Sequence, residues 1–394
     1  MESSRTEGIL QTIRVLDLAD ERAIYGSKLI ADLGADVIRV EPPDGDRLRL
    51  RGPFASDNDG EEHSLYYAYY GSNRRSVTID LGNARERETL RQLALSSDVV
   101  IDTGTLASAD IDVFDLLEAK PELVIVLVTS FGSSGPWAEY LTSDLVAGAL
   151  GGFVATTGDV DTQPLKAYGE LNFTTTGLYA AIGSLTALRH ARETGEGQVV
   201  ELAVHEAVPS CLEHVLMWGW FHNDLPMAKD DVLARRGSLH WSDMYEVMDA
   251  SDGSIMITTT PDPMKQLAWL VEMGVEQDLL DPKYGDPEQH RMMVMRMMEV
   301  LRDWVAQQNV EDLFFEAQER HFPYGWMLSP DRVAQSPQLE ARDWWMNYQL
   351  GAHIVRGPGA PYLLEEKPIR KESSVSEVGA DTREVLEKIG WVER

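Results

Sequence analysis

Over the first two hundred residues the apolar positions fall into short solid runs, each followed by a stretch with helical spacing. The run at 13–19 predicts a buried strand and residues 21–33 a helix. A second strand, 36–41, is halted by Pro42 and Pro43, since proline has no N–H to give to a sheet. The alternation continues with a strand at 76–81, a helix at 83–94, a strand at 98–102 and a strand apolar on both faces at 123–128. Strands alternating with helices predict an α/β fold with a large, doubly wound parallel sheet. No G-x-G-x-x-G follows the first strand, so the dinucleotide fingerprint is absent.

Beyond Leu212 the texture changes. Strand patterns at 244–248 and 254–259 flank the turn Ser251-Asp252-Gly253, a hairpin signal, and helical spacing follows at 263–273, 287–306 and 311–319. The stripe Met292, Met293, Met295, Met297 and Met298 reads as packing, because no ligand spacing accompanies it. These patterns predict a large α/β domain at 1–210, completed by 330–394, and a smaller α+β domain at 225–322. Segments 211–224 and 323–329 connect them. The tail, with Pro358, Pro361 and Pro368 and a helix at 381–389, reads as a return to the first domain.

Composition narrows the function classes. The 394 residues are 43% hydrophobic, enough to bury a large core. Lys and Arg number 35 against 65 Asp and Glu, and the resulting charge of −30 opposes nucleic acid and anionic membrane surfaces. One cysteine, Cys211, excludes an intrachain disulfide, and no apolar run reaches the ~20 residues of a membrane span. The expectation is a cytoplasmic protein without a metal centre: His190, His205, His214, His222 and His240 lack zinc-site spacing.

Three clusters could carry chemistry. Arg39, Arg47, Arg49 and Arg51 follow the second strand, where open α/β sheets bind ligands; they could hold phosphates or solvate a loop. Arg74 and Arg75, in a polar turn entering a strand, have the same two readings. The stretch from Ala167 to Gly183 runs from a polar turn into an apolar helix. Thr174, Thr175 and Thr176 there could cap the helix or leave N–H groups free for an anion.

Five motifs, in order, resemble the family III CoA-transferases, or CaiB/BaiF family, over essentially the whole chain. They are L-I-A-D-L-G-A-D-V-I-R-V-E from Leu29, N-R-R-S-V-T-I-D-L from Asn73, F-G-S-S-G-P from Phe131, R-E-T-G-E-G-Q from Arg192 with V-E-L from Val200, and S-P-Q-L-E-A-R from Ser336. The resemblance implies an interlocked dimer of two-domain chains, with CoA on the large domain and no covalently bound cofactor. An Asp carboxylate of the family attacks the acyl-CoA thioester, and mixed-anhydride and enzyme–CoA thioester intermediates follow. Arg39, Arg47, Arg74 and Arg75 fall in the family's CoA-contacting regions. The adenine-sandwiching N-F-x-P-G segment corresponds here to residues 103–107, and a basic residue of relatives to about Ile111.

The family's nucleophile position is occupied by Phe173, or by Asn172 in the register of the related racemases, whose His-Asp pair corresponds to Ser143 and Asp144. The chain also resembles the branch without the nucleophilic Asp, the noncatalytic-subunit type of benzylsuccinate CoA-transferase. That implies CoA transfer between carboxylic acids together with a related, Asp-bearing chain. Two alternatives stand beside it: a self-contained acyl-CoA enzyme, homodimeric and using Glu170, with Asn172 the other local candidate, and a noncatalytic acyl-CoA-binding or regulatory protein. Trp218, Trp220, Phe221 and Trp241 could line an acyl pocket or pack in a core.

Overall fold

The computed structural model describes residues 8–56, 62–158, 162–212, 215–217, 220, 245–259, 262–351, 353–365, 369 and 372–390. The chain divides into two compact units. One comprises residues 1–153, 167–213 and 337–394, the other residues 154–166 and 214–336.

The first unit opens with β1 (Arg14–Leu18), α1 (Ile24–Asp32), β2 (Asp36–Glu41), a short hairpin β3 (Phe54–Ser56) and β4 (Glu62–Ser64), and α2 (Leu65–Gly71). It continues through β5 (Arg75–Thr78), α3 (Ala84–Leu95), β6 (Val99–Asp102), α4 (Thr105–Ser108), α5 (Val113–Ala119) and β7 (Val124–Thr129). Then come α6 (Asp144–Leu150), the long α7 (Leu171–Thr194), β8 (Gln198–Ala203) and α8 (Val204–Ala207). Six strands form a parallel sheet in the order β5-β2-β1-β6-β7-β8. Its central strands are solid apolar runs because helices cover both faces. Val15, Val37, Val99, Val124 and Val126 belong to one core, and Leu16, Ile38, Val77, Val100 and Ile125 to the other.

Strand order reverses between β1 and β6, which makes the carboxyl ends of these two strands the switch point of the sheet. α7 reaches that end by crossing α1 at two glycines. A Cβ on Gly26 would lie 2.5 Å from the Gly177 carbonyl oxygen, so only glycine allows this approach. The tail is stitched to the sheet edge: Asp381 accepts from the Ser76 N–H at 2.9 Å, Thr382 accepts from the Thr78 N–H at 3.1 Å, and residues Thr382–Lys388 form a helix.

In the second unit, β9 (Tyr245–Asp249) and β10 (Ser254–Thr258) form the expected antiparallel hairpin, joined by β11 (Gly325–Trp326). Helices Pro263–Glu272, His290–Val305 and Val310–Glu319 accompany it. The methionine stripe splits. Met293, Met297 and Met298 enter a core with Trp269, Trp304 and Tyr324, whereas Met292 and Met295 are exposed. Back in the first unit, β12 (Met346–Leu350), β13 (His353–Gly357) and β14 (Glu372–Ser374) make a separate three-stranded sheet.

Candidate active site

The arginines near the carboxyl end of the sheet have separate fates. Arg39 in β2 and Arg74, just ahead of β5, both face Asp17 of the neighbouring β1, at 3.1 and 3.0 Å. Arg39 also binds Asp46 and the Ala19 carbonyl, and Arg74 donates to the Ile24 carbonyl at 2.9 Å. Nearby, Arg49 pairs with Glu41 at 2.6 Å and Lys28 with Asp32. Four cations thus meet four carboxylates, a balance that burial requires because an unpaired charge out of water is costly.

The arginines on Asp17 do not titrate alike. Burial would lower both; the carboxylates of Asp17 and Asp46 outweigh it for Arg39 and hold that guanidinium well above its usual value. Burial, together with the charge of Arg39, lowers Arg74, which has Asp17 alone in direct pairing. Arg75 is held by Asp36 and by Glu384 at 3.4 Å. Arg47 differs: its side chain is 69% exposed and paired with Glu21 at 2.6 Å.

At the switch point, residues 103–107 fold back onto β1. The Asp20 N–H donates to the Thr103 hydroxyl at 2.9 Å, and Arg22 bridges the Asp20 carboxylate and the Thr103 carbonyl at 2.7 and 2.6 Å. Asp102 accepts from the N–H groups of Gly104 and Thr105 at the start of α4, yet burial still raises its pKa.

The start of α7 departs from the sequence expectation. The helix begins at Leu171, three residues before the threonines, which lie within it. Thr174 N–H already bonds the Glu170 carbonyl at 2.8 Å, and the hydroxyls of Thr175 and Thr176 bond back to the Leu171 and Asn172 carbonyls, each at 2.9 Å. Neither a threonine cap nor an anion site on the threonine N–H groups is therefore formed. Asp144, at the head of α6, supplies the cap. Its carboxylate accepts from the Phe173 N–H at 3.1 Å and the Asn172 amide at 3.1 Å, and its carbonyl accepts from the same amide at 2.9 Å. Asn172 is buried, and Phe173, 4% exposed, joins the core that contains Val126, Ala147 and Val208.

Glu170 alone of the three residues pairs with a cation. Its carboxylate accepts from Arg51 at 2.5 Å and from the Tyr66 hydroxyl at 2.9 Å. The guanidinium of Arg51 lies 4.3 Å over the Tyr66 ring. Burial and the adjoining Glu170 charge push the Tyr66 phenol far above its ordinary pKa, so it remains a proton donor. Arg51 stood out in sequence as one of a basic group; Tyr66 did not, because a tyrosine in a four-tyrosine helix carries no chemical signal until its partner is known.

The F-G-S-S-G-P turn follows β7. Phe131 packs against Trp137 and His205 at 5.8 and 5.4 Å between ring centres. Of the aromatics that could line an acyl pocket, Trp220 is exposed, while Trp218, Phe221 and Trp241 lie outside the described residues, as do His214, His222 and His240. Among the described residues, no group of three His, Cys, Asp or Glu side chains is placed to hold a metal, and no helix is long and apolar enough to cross a membrane.

Comparison with known proteins gives one consistent answer. The chain is 30% identical to the succinyl-CoA:(R)-benzylsuccinate CoA-transferase subunit BbsE of Thauera aromatica, over 96% of this chain and 93% of that protein. It is 28% identical to succinate–glutarate CoA-transferase of Agrobacterium fabrum, over 98% and 96%. A crystal structure of a CaiB/BaiF family protein from Brucella suis superposes with a TM-score of 0.84 at 26% identity, covering 97% of this chain and all of that one. The model of CoA-transferase family III matches residues 10–382, and the chain belongs to that family.

Proposed function

We propose that this chain serves CoA transfer between carboxylic acids as the subunit without a nucleophile, in an interlocked dimer with a related chain that carries an Asp at the corresponding position. The observation that carries this reading is the start of α7. Anhydride formation needs a carboxylate free to meet a thioester, and the matched position holds the buried Phe173, flanked by an Asn172 whose amide is spent on Asp144. A relative spanning nearly the whole chain is itself described as a subunit of a CoA-transferase, which supports the same assignment. An exposed apolar stripe of Leu171, Leu178, Tyr179 and Ile182 on α7, with Leu145 and Leu150 on α6, suits burial against the second chain.

Coenzyme A would be met as a thioester substrate. Of Arg39, Arg47, Arg74 and Arg75, we assign phosphate contact to Arg47, whose guanidinium reaches solvent. The reading is tested by purifying the chain from its native source and assaying CoA transfer. A related Asp-bearing chain should accompany it and be required for activity. A stable, active homodimer would sink the proposal, and a hydroxylamine-trapped adduct on Glu170 would assign catalysis to this chain.

A further inference from the structure

We propose that Arg51 and Tyr66 form a seat for a carboxylate, filled in this structure by Glu170 and taken over by the free carboxylate of a dicarboxylic substrate. The inference rests on the reading above that carboxylic acids exchange CoA at this protein, and it names the class of acid.

Glu170 stands at the N-cap of α7, where an acidic side chain ordinarily accepts a hydrogen bond from its own helix, but its side chain makes no such bond. It turns instead to Arg51 and Tyr66, and each carboxylate oxygen takes one donor. The seat is built without its help. Arg51 is stacked on the Tyr66 ring, which in turn packs on Tyr70 with 4.6 Å between ring centres, and the Arg51 carbonyl accepts from the Ser64 hydroxyl. Removing Glu170 therefore leaves a cation and a phenol in place with, among the described residues, no other carboxylate bonded to either.

The plug can also leave. Gly169, immediately before it, has φ +75° and open space where a Cβ would be, and Tyr168 is fully exposed. The Arg51 side chain is 39% exposed and that of Glu170 17%, so solvent reaches the pair. Replacing one carboxylate by another conserves charge and hydrogen bonds, whereas the alkyl end of a monocarboxylic acyl group offers the seat neither. Self-occupancy lowers the apparent affinity by the fraction of time the seat is open, which makes the intact protein selective yet weakly binding.

Titration calorimetry of the full chain with succinate and with butyramide, which has the same chain length and no carboxylate, tests this, without CoA or turnover. Glu170→Ala should tighten succinate binding by about tenfold or more and leave butyramide unchanged. Adding Arg51→Met should abolish the gain, and adding Tyr66→Phe, a milder change that keeps the ring, should remove several-fold of it. Thermal melts identify any variant that fails to fold. Equal succinate affinity in wild type and a folded Glu170→Ala variant, or a gain that survives Arg51→Met, overturns the proposal. Succinate binding with these effects but no CoA transfer beside any partner would keep the seat and reject the transferase reading; transfer with no such effects would do the reverse.

Discussion

Arg74 is a buried counter-ion of Asp17, a role that replacement can tell from phosphate binding; in sequence it stood as a phosphate ligand or a charge solvating a loop. In Arg74→Met the stem is kept while Asp17, whose side chain is fully buried, loses a guanidinium at 3.0 Å. Removing one partner of a buried pair costs about 3–5 kcal/mol. Asp17 keeps Arg39 at 3.1 Å and the Ala19 N–H at 3.1 Å, which puts the loss near the lower end, about 3 kcal/mol. At roughly 2–4 °C per kcal/mol for a unit of this size, the thermal midpoint should fall by about 6–12 °C. Adding Asp17→Asn should cost less than the sum of the two single changes, by about 0.5–3 kcal/mol of coupling. Differential scanning fluorimetry with and without CoA reads both quantities. A midpoint shift under about 2 °C, together with lost CoA binding, would refute the argument and make Arg74 a ligand.

Three further outcomes are expected. Phe173→Asp, which puts a carboxylate at the position the proposed reading matches to the family's nucleophile, should gain no transferase activity and lower stability by about 3–5 kcal/mol or more, since it empties a core site and buries a charge beside Asp144; urea unfolding and a CoA-transfer assay check it. Gly26→Ala should destabilise by about 1–3 kcal/mol, because the added Cβ meets the Gly177 carbonyl, a backbone atom that cannot swing aside; an unchanged melt would show that α1 and α7 can part freely. Burial would raise Glu41, but hydrogen bonds from Arg49 and Ser76 outweigh it and hold its pKa below the ordinary 4.5. Its stabilisation is therefore full above that value and lost as pH falls through the lower folded one, so the gap in melting temperature between wild type and Glu41→Gln should close over that acid range.

The sheet was legible because its strands are buried on both faces: β1, β2, β6 and β7 are largely apolar runs bounded by turns, and their alternation with helices implies parallel pairing, whereas the strand order comes from the structure alone. The end of α7 toward the site was not. Its cap, Asp144, lies 28 residues upstream of Asn172, and the threonine run offered a local cap that the structure does not use. The arginines looked alike in sequence, since what distinguishes them is the neighbour across the sheet. Asp17 claims Arg39 and Arg74 only because β1 lies beside β2 and β2 beside β5. Methionine spacing signalled a packed helix face but not its width, and Met292 and Met295 fall outside it.

The knot that ties Phe173 and Asn172 to Asp144 bears on the history open to this protein. A surface residue at the nucleophile position could mutate back and forth at little expense. Here the ring fills the core and its backbone amide is claimed by the residue that starts α6. Recovering an attacking carboxylate would demand a smaller side chain, new filling for the vacated space and a different cap, all at once. Each change made first would weaken the fold before any activity returned. On the proposed reading, dependence on another chain for the covalent step is then a one-way street, kept in place by packing as much as by selection.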